Sequence, residues 1–326
     1  MCRILSNDIA ARNEGMHSLN SKYSIKDLER LSGVKAHTIR IWEQRYSLLS
    51  PDRTDTNIRL YNDQDVKLLL NISLLIKNGG KISRLAQMST QEITRQIAEL
   101  AEKNEGKEPF FEAQINQMVL AMLQFDEDRF ESTLNLSSNE LGFEPTMLNI
   151  IIPFLQRVGM MWLSGESSIL QEHFISNMIR RKLLVATDAL PVVKNPEAEA
   201  FLLFLPEGEL HELGLLFSKY LLKARGKRVM YLGQTLPRED VEVYCREHKP
   251  QYLLTFFTAA HSVSSINIYL NDLKNISGKT RVLVAGMQLH QPDIKIPEGV
   301  WFISSVNDLI QLAEGKKANL KTGTEH

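Results

Sequence analysis

One histidine stands out because of the residues around it. The run Glu209-Leu210-His211-Glu212-Leu213-Gly214 comes directly after the apolar segment 200–205. A strand that leads through a polar loop into a helix places the His211 imidazole at the carboxyl end of the strand, where open α/β sheets bind ligands. Imidazole can ligate a transition metal, and Glu209 could accept a hydrogen bond from its other ring nitrogen. A surface or helix-capping histidine is the plainer alternative.

Three further features lie at the same predicted sheet edge. Gly214 would let a ligand approach the start of the following helix closely, and Thr255 supplies a hydroxyl at the end of a later strand. Ala285 and Gly286 end the next strand without bulky side chains. Together these residues predict a deep slot between strand ends that could take a nucleotide-like tail.

The elements that would position these residues alternate between strand and helix. Continuous apolar runs with amphipathic segments between them are typical of a parallel sheet covered on both faces, and five strands fit a doubly wound, flavodoxin-like domain. The predicted strands are 200–205, 227–232, 251–257, 281–285 and 300–303, and the predicted helices are 211–224, 237–247, 262–274 and 305–314. We assign this domain to residues 198–316.

The segment 108–192 has apolar residues at helical spacing, such as Ile150, Ile151, Phe154 and Leu155. Breaks at Gly142, Pro145 and Gly165 divide it into helices that predict a four-helix bundle. Trp162 is followed after nine residues by Glu172-His173. An aromatic residue in a bundle is usually core and a histidine is usually surface, so this motif alone decides nothing.

The first part of the chain predicts a DNA-binding head over residues 21–95, preceded by a mobile tail over 1–20. Ser24 is a plausible N-cap, Gly33 allows a tight turn, and a second helix follows from about Ala36 to Arg45, which is helix-turn-helix spacing. On that second helix Ile39 and Trp42 can face inward, and the exposed stripe carries His37, Arg40 and Gln44. A turn and short strand downstream predict a wing that bears Arg53 and Arg59.

These residues resemble the MerR family of transcription regulators. The matching runs are Tyr23-Ser-Ile-Lys-Asp-Leu28, Ser32-Gly-Val34, Thr38-Ile-Arg40, Trp42-Glu-Gln-Arg-Tyr46, Pro51-Asp-Arg53 and Ile58-Arg-Leu-Tyr61. The resemblance implies a dimer on a near-palindromic operator, with the second helix, called the recognition helix, in the major groove and the wing on the DNA backbone. It makes Arg40, Arg45, Arg53, Arg59 and Tyr61 the candidate DNA contacts, although Tyr61 could equally belong to the core.

The C-terminal domain resembles the cobalamin-binding domain of methionine synthase and of cobalamin-dependent mutases. Glu209-x-His211-x-x-Gly214 matches the pattern acidic-x-His-x-x-Gly, whereas Thr255-Phe-Phe257 stands for a serine motif and Ala285-Gly286 for paired glycines. The resemblance implies that His211 is the lower cobalt ligand and Glu209 its hydrogen-bond acceptor, and the two departures would narrow the tail pocket.

A helical bundle with Trp-x9-Glu-His directly before such a domain resembles the light-sensing repressors of the CarH type. The resemblance implies that the bundle caps the upper face of adenosylcobalamin, with Trp162 against the adenosyl group and Glu172 helping to hold it. His173 could then take the upper cobalt position after light removes that group. It further implies a homo-oligomer, a dimer or a tetramer, whose operator affinity depends on the cofactor.

Charge distribution agrees with a two-part protein. Residues 22–61 hold eight Lys/Arg against five Asp/Glu, whereas residues 96–149 hold three against eleven, so only the head is suited to a polyanion. The two distant cysteines, Cys2 and Cys245, favour a reducing compartment over a disulfide framework. No apolar run approaches the roughly 18 residues of a membrane span, so a cytoplasmic protein without a membrane partner is expected.

Two alternatives stay open. A regulator of the same architecture could dispense with cobalamin and respond to a protein antagonist, which the departures at Thr255 and Ala285 allow. A corrinoid carrier or mutase subunit is disfavoured, because such proteins have no use for a DNA-binding head. No nucleophile–base pair is evident near the predicted site, so we expect a regulator and not an enzyme.

Overall fold

The computed structural model describes residues 22–54, 56–103, 108–163, 168–259 and 261–322. The predicted mobile tail, residues 1–20, lies outside them. The chain divides into two compact units, Met1–Ile175 and Ser176–His326.

The head begins with two helices that local signals delimit. A reciprocal capping box between Ser24 and Asp27 starts the first helix, and Gly33, in a left-handed conformation (φ 72°), ends it. A two-stranded antiparallel hairpin follows the second helix. The elements are α1 (Ile25–Ser32), α2 (Ala36–Tyr46), β1 (Asp52–Arg53), β2 (Arg59–Leu60), α3 (Asp63–Lys77), α4 (Ile82–Leu85) and α5 (Thr90–Lys103).

The helical region that follows is built around aromatic contacts. The rings of Phe130 and Phe154 lie 5.7 Å apart, and Phe174 lies against Phe125 and Phe130 at 5.6 and 6.5 Å, all edge-to-face. Its helices are α6 (Glu108–Gln124), α7 (Glu127–Leu141), α8 (Phe143–Thr146), α9 (Ile152–Leu163) and α10 (Ile169–Asp188). A π-helical segment, Met147–Ile151, joins α8 to α9.

The π segment has a local cause. Pro153 has no N–H to donate to the carbonyl of Asn149, so the normal helical ladder is interrupted there. The N–H of Ile152 donates instead to the carbonyl of Met147, five residues earlier. The wider turn lets the chain continue as a helix through the proline.

The second unit is an α/β domain with a mainly parallel sheet. Its elements are β3 (Ala200–Pro206), α11 (Leu213–Ala224), β4 (Arg228–Leu236), α12 (Arg238–His248), β5 (Tyr252–Phe256), α13 (Val263–Ile276), β6 (Arg281–Ala285), β7 (Val300–Phe302), α14 (Val306–Ala313) and β8 (Lys321–Thr322). The strand order is β4-β3-β5-β6-β7-β8. The direction in which successive strands are added to the sheet therefore reverses between β3 and β5, and such sheets bind ligands at this position.

The sheet has one strand more than predicted. Five strands run parallel in the flavodoxin-like order, but β8 adds a sixth, antiparallel strand beside β7. Only two residues form β8, and their polar side chains give no apolar run that sequence patterns could detect. Among the described residues, no helix is long and apolar enough to cross a membrane.

Candidate functional site

His211 lies in the loop between β3 and α11, residues 207–212, which we call the His loop. Its Nδ1 is 2.7 Å from the Glu209 carboxylate, and its backbone N–H donates to the same oxygen at 3.0 Å. Glu209 is fully buried, whereas the His211 side chain is 54% exposed. The ring is therefore accessible to a ligand, while a buried partner fixes its orientation.

Glu209 is held from the neighbouring strand as well. Its second oxygen accepts hydrogen bonds from the backbone N–H groups of Thr258 and Ala259, both at 2.7 Å, just beyond β5. Burial raises the pKa of the Glu209 carboxyl, but the hydrogen bonds from His211, Ala259 and Thr258 outweigh this and lower the pKa to about 2. An ionised carboxylate only accepts hydrogen bonds, so Nδ1 carries the proton in this pair.

The other side of the His loop is fixed by Glu212, which is also buried. Glu212 accepts hydrogen bonds from Arg180 Nε at 2.5 Å and from the Tyr231 hydroxyl at 2.6 Å. Burial first, then the bond to Glu212, raises the pKa of Tyr231 well above its ordinary value. Gln234 donates to the carbonyl of Leu210 at 2.5 Å, so residues of β4 hold the loop at two points.

Thr255 lies on β5 with its side chain completely buried. Its Oγ1 has no hydrogen-bond partner within the described part of the chain. A buried hydroxyl without a partner costs free energy, so this position fits a ligand group that would bond to it.

The two glycines do not leave open space. A Cβ added to Gly214 would lie 2.9 Å from the Phe256 ring, and one added to Gly286 would lie 2.3 Å from the backbone oxygen of Phe257. Gly286 also has a φ of 115°, which side chains disfavour. In this structure the chain's own atoms therefore lie against both glycines, and the slot beside them stays a prediction.

The Glu-His motif of the helical region lies near the start of α10, in the first unit. His173 is exposed and Glu172 is half-buried, and His173 Nδ1 is 3.7 Å from a Glu172 carboxylate oxygen. The Trp162 side chain lies outside the described residues. His211 belongs to the second unit.

The second helix of the head has the two faces that its sequence predicts. Ile39 and Trp42 are buried. The exposed side carries the candidate DNA contacts, namely His37, Arg40, Gln44 and Arg45. Arg53 is exposed on β1 and donates to Asn57 across the hairpin at 2.6 Å.

Two candidate DNA contacts are placed differently. Tyr61 is only 1% exposed, because its backbone pairs with Tyr23 and its ring enters the core, so the prediction that it contacts DNA is wrong. Its hydroxyl donates to Glu43 on α2 at 3.1 Å. Arg59 Nε donates to both carboxylate oxygens of Glu43 at 3.1 Å, so this arginine joins the hairpin to the recognition helix.

Comparison with known proteins identifies the head and the helical region. A family model described as "MerR HTH family regulatory protein" matches residues 23–92, and one described as "B12 binding domain" matches residues 114–186. The chain is 31% identical to the HTH-type transcriptional repressor CarH of Myxococcus xanthus, over 77% of this chain and 84% of that protein. The chain belongs to the CarH family of MerR-type repressors.

Other relatives agree with this CarH-family membership. The HTH-type transcriptional repressor CarA of Myxococcus xanthus is 25% identical over 81% of this chain and 86% of that protein. A monomethylamine corrinoid protein of Methanosarcina barkeri has the same fold, with a TM-score of 0.52 and 15% identity over 64% of this chain and 98% of that one. The expectation of a transcription regulator and not an enzyme is therefore confirmed.

Some residues important to this CarH-family chain were not predicted from its sequence. Glu43 is an acidic residue on a helix that is predicted to contact DNA. Because a carboxylate is unfavourable next to phosphates, its presence there could have indicated that it pairs with a basic residue, which is Arg59. Glu212 follows His211 directly and could have been recognised as a second anchor of the loop. Arg180 and Tyr231 gave no signal, because only the tertiary structure brings them to Glu212.

Proposed function

We propose that this MerR-type regulator is a light-responsive repressor that binds adenosylcobalamin and, when loaded, assembles as a dimer or tetramer on its operator. The observation that carries the proposal is the His211–Glu209 pair. A buried carboxylate with four hydrogen-bond donors holds an exposed imidazole at the switch point of a parallel sheet.

The pair is suited to cobalt ligation. Because Nδ1 donates to an ionised Glu209, the neutral imidazole has its basic lone pair on Nε2. A carboxylate behind a metal-binding histidine fixes the tautomer and raises the basicity of the ligating nitrogen. His211 is thus proposed as the lower axial ligand, with Glu209 as its orienting partner.

Thr255, Gly214 and Gly286 are proposed to line the pocket for the nucleotide tail of the cofactor. The unsatisfied Thr255 hydroxyl supports this assignment. Phe256 occupies the space against Gly214, so it must move if the tail enters on that side of the strand. Binding would then depend on a rotamer change of one side chain.

The helical region is proposed to cover the upper face of the cofactor. Trp162 would contact the adenosyl group, Glu172 would help to hold it, and His173 would be the candidate upper ligand in the illuminated state. Adenosylcobalamin supplies a light-labile cobalt–carbon bond when it is bound. The exposed position of His173, with Glu172 half-buried beside it, is consistent with these roles.

DNA binding is assigned to the exposed stripe of α2 and to the hairpin. His37, Arg40, Gln44 and Arg45 would lie in the major groove, and Arg53 would contact the backbone, with Arg59 holding the hairpin in place. Linking several heads in one oligomer would raise operator affinity by a factor of about 10²–10⁴ through effective concentration.

A second candidate is a regulator of this family that functions without cobalamin. The contact between Phe256 and Gly214 favours it, because the pocket is narrowed by the chain itself. In that case the His loop would be a structural remnant, and a protein partner would control DNA binding.

The deciding experiment measures colour, size and DNA binding together. The purified chain is incubated with adenosylcobalamin in darkness, and its absorbance, oligomer size and DNA affinity are recorded before and after illumination. We expect bound cofactor, a larger dark assembly and weaker DNA binding after light. A chain that stays colourless supports the second candidate, and a coloured chain with unchanged DNA affinity refutes light control.

A further inference from the structure

A half-buried arginine joins the DNA-binding head to the helical region. Arg157 lies on α9, and one of its terminal nitrogens, Nη2, donates to the backbone carbonyl of Leu31 in the last turn of α1. Its Nη1 donates to Asn116 at 2.8 Å and pairs with Glu112 at 3.4 Å, both on α6. One guanidinium, carried by α9, therefore contacts two other helices, α1 and α6.

The end of α1 is where such a contact has the largest effect. The last carbonyls of a helix have no partner within it, and the negative end of the helix dipole attracts a cation. In α1 the carbonyl of Glu29 receives the N–H of Gly33, and that of Ser32 receives the Ser73 hydroxyl at 2.8 Å. Arg157 supplies the donor for Leu31, so the end of α1 depends on a residue outside the head.

The contact is costly to break. The Arg157 side chain is 19% exposed, so most of it is removed from water, and this burial lowers the pKa of Arg157 against the effect of the Glu112 carboxylate. A buried charge is tolerated only when hydrogen bonds satisfy it, and Asn116 is itself 2% exposed. Moving α9 away from α1 would leave Nη2 of this partly buried guanidinium and the carbonyl of Leu31 without the hydrogen bond that joins them. The two helices are thus expected to move as one body.

We infer that Arg157 is a positioning residue that clamps the head onto α9 and so carries a displacement of α9 to the recognition helix. Trp162 lies on the same helix, five residues further on. The inference rests on the proposed function for the source of the displacement, since the cofactor would act at that end of α9. The clamp itself rests only on the contacts of Arg157. α1 and α2 are joined by a short turn at Gly33, so the position of α1 sets the position of α2.

The test replaces the guanidinium with an apolar side chain of similar length in the full chain. Arg157→Met is compared with Arg129→Met, since Arg129 is also a half-buried arginine, but its hydrogen bonds go to Gln117 and Gln124 on α6 and not to the head. Amide hydrogen exchange is measured over residues 28–38 in the cofactor-free chain. DNA affinity is measured with and without adenosylcobalamin, on a duplex that the parent chain enriched from a random-sequence pool.

We expect Arg157→Met to accelerate exchange over residues 28–38 by at least tenfold and to reduce the cofactor-dependent ratio of DNA affinities at least fivefold, with cobalamin absorbance unchanged. Arg129→Met should keep the parental exchange over residues 28–38 and the parental ratio. If exchange in Arg157→Met equals that of the parent, Arg157 does not clamp the head to α9. If exchange is accelerated but the cofactor-dependent ratio of DNA affinities equals that of the parent, Arg157 does not carry the displacement of α9 to the head. If Arg157→Met does not fold, Arg157→Gln serves in the same comparison.

Failure of the proposed function has a different signature. In that case the parent chain itself shows no cofactor-dependent ratio. The exchange comparison, made without cofactor, then still decides whether Arg157 clamps the head.

Discussion

Replacing Glu209 with glutamine tests how the His loop is held. The carboxylate accepts two hydrogen bonds from His211 and one each from the N–H groups of Thr258 and Ala259. A glutamine keeps one acceptor oxygen but turns an NH₂ group towards donors. The loop and the end of β5 would therefore lose charge-assisted bonds in a fully buried place.

The size of the loss follows from the pKa of Glu209, which falls from 4.5 to about 2 on folding. At about 1.36 kcal/mol for each pKa unit, the ionised carboxylate stabilises the folded unit by about 3 kcal/mol. Because the folded pKa lies below the unfolded value, this stability is complete above about pH 4.5 and is lost as the pH falls towards 2. By about pH 4, roughly 1 kcal/mol of it should be gone.

Hydrogen exchange of the buried β5 amides measures, in the intact protein, how much the ionised Glu209 carboxylate stabilises the fold. Glu209→Gln should lower the protection free energy by about 3 kcal/mol near neutral pH, and the gap to the parent should shrink on acidification. Glu207→Gln, an exposed carboxylate in the same loop, should change nothing by comparison. Equal protection in parent and Glu209→Gln, or a gap independent of pH, would show that the carboxylate does not hold the loop electrostatically.

Other perturbations test neighbouring contacts. Tyr231→Phe removes the hydroxyl that donates to buried Glu212 and should destabilise the α/β unit by about 1.5–3 kcal/mol in the same exchange assay. Protection equal to that of the parent would show that this bond does not stabilise the unit. Gly214→Ala places a methyl 2.9 Å from the Phe256 ring and should lower the stability of the unit by about 1–3 kcal/mol. In the background of Phe256→Ala the same substitution should lower stability much less. If the effects of the two substitutions simply add, the contact with Phe256 is not the cause. Arg53→Ala should reduce the salt dependence of DNA binding by about one unit of slope, and an unchanged slope would exclude a phosphate contact at this hairpin residue.

Local signals in the sequence predicted much of both units. Ser24 and Gly33 delimit α1 as expected, and Ile39 and Trp42 face inward on α2, because caps and helical periodicity depend on neighbouring residues only. The parallel sheet follows from its apolar runs in the same way. Sequence periodicity therefore gives the elements and their inward faces reliably in this chain.

Contacts between residues that are distant in the sequence could not be predicted from local sequence patterns. Tyr61 fits a family position for DNA contact, yet its backbone pairing with Tyr23 buries it. The space beside Gly214 could not be judged without knowing that the Phe256 ring packs there. Arg157 carries an ordinary charge in sequence, and only the three-helix arrangement shows what it binds. These are tertiary effects, which sequence spacing does not encode.

The anchoring of the His loop has a thermodynamic consequence for whatever ligand the loop receives. Glu209 ties it to the end of β5, while Tyr231 and Gln234 tie it to β4, before any ligand is present. A disordered loop would lose conformational entropy on association, at about 1–2 kcal/mol for each residue fixed. Here that entropy is lost during folding, so the bond energy at the imidazole is not reduced by the cost of ordering the loop.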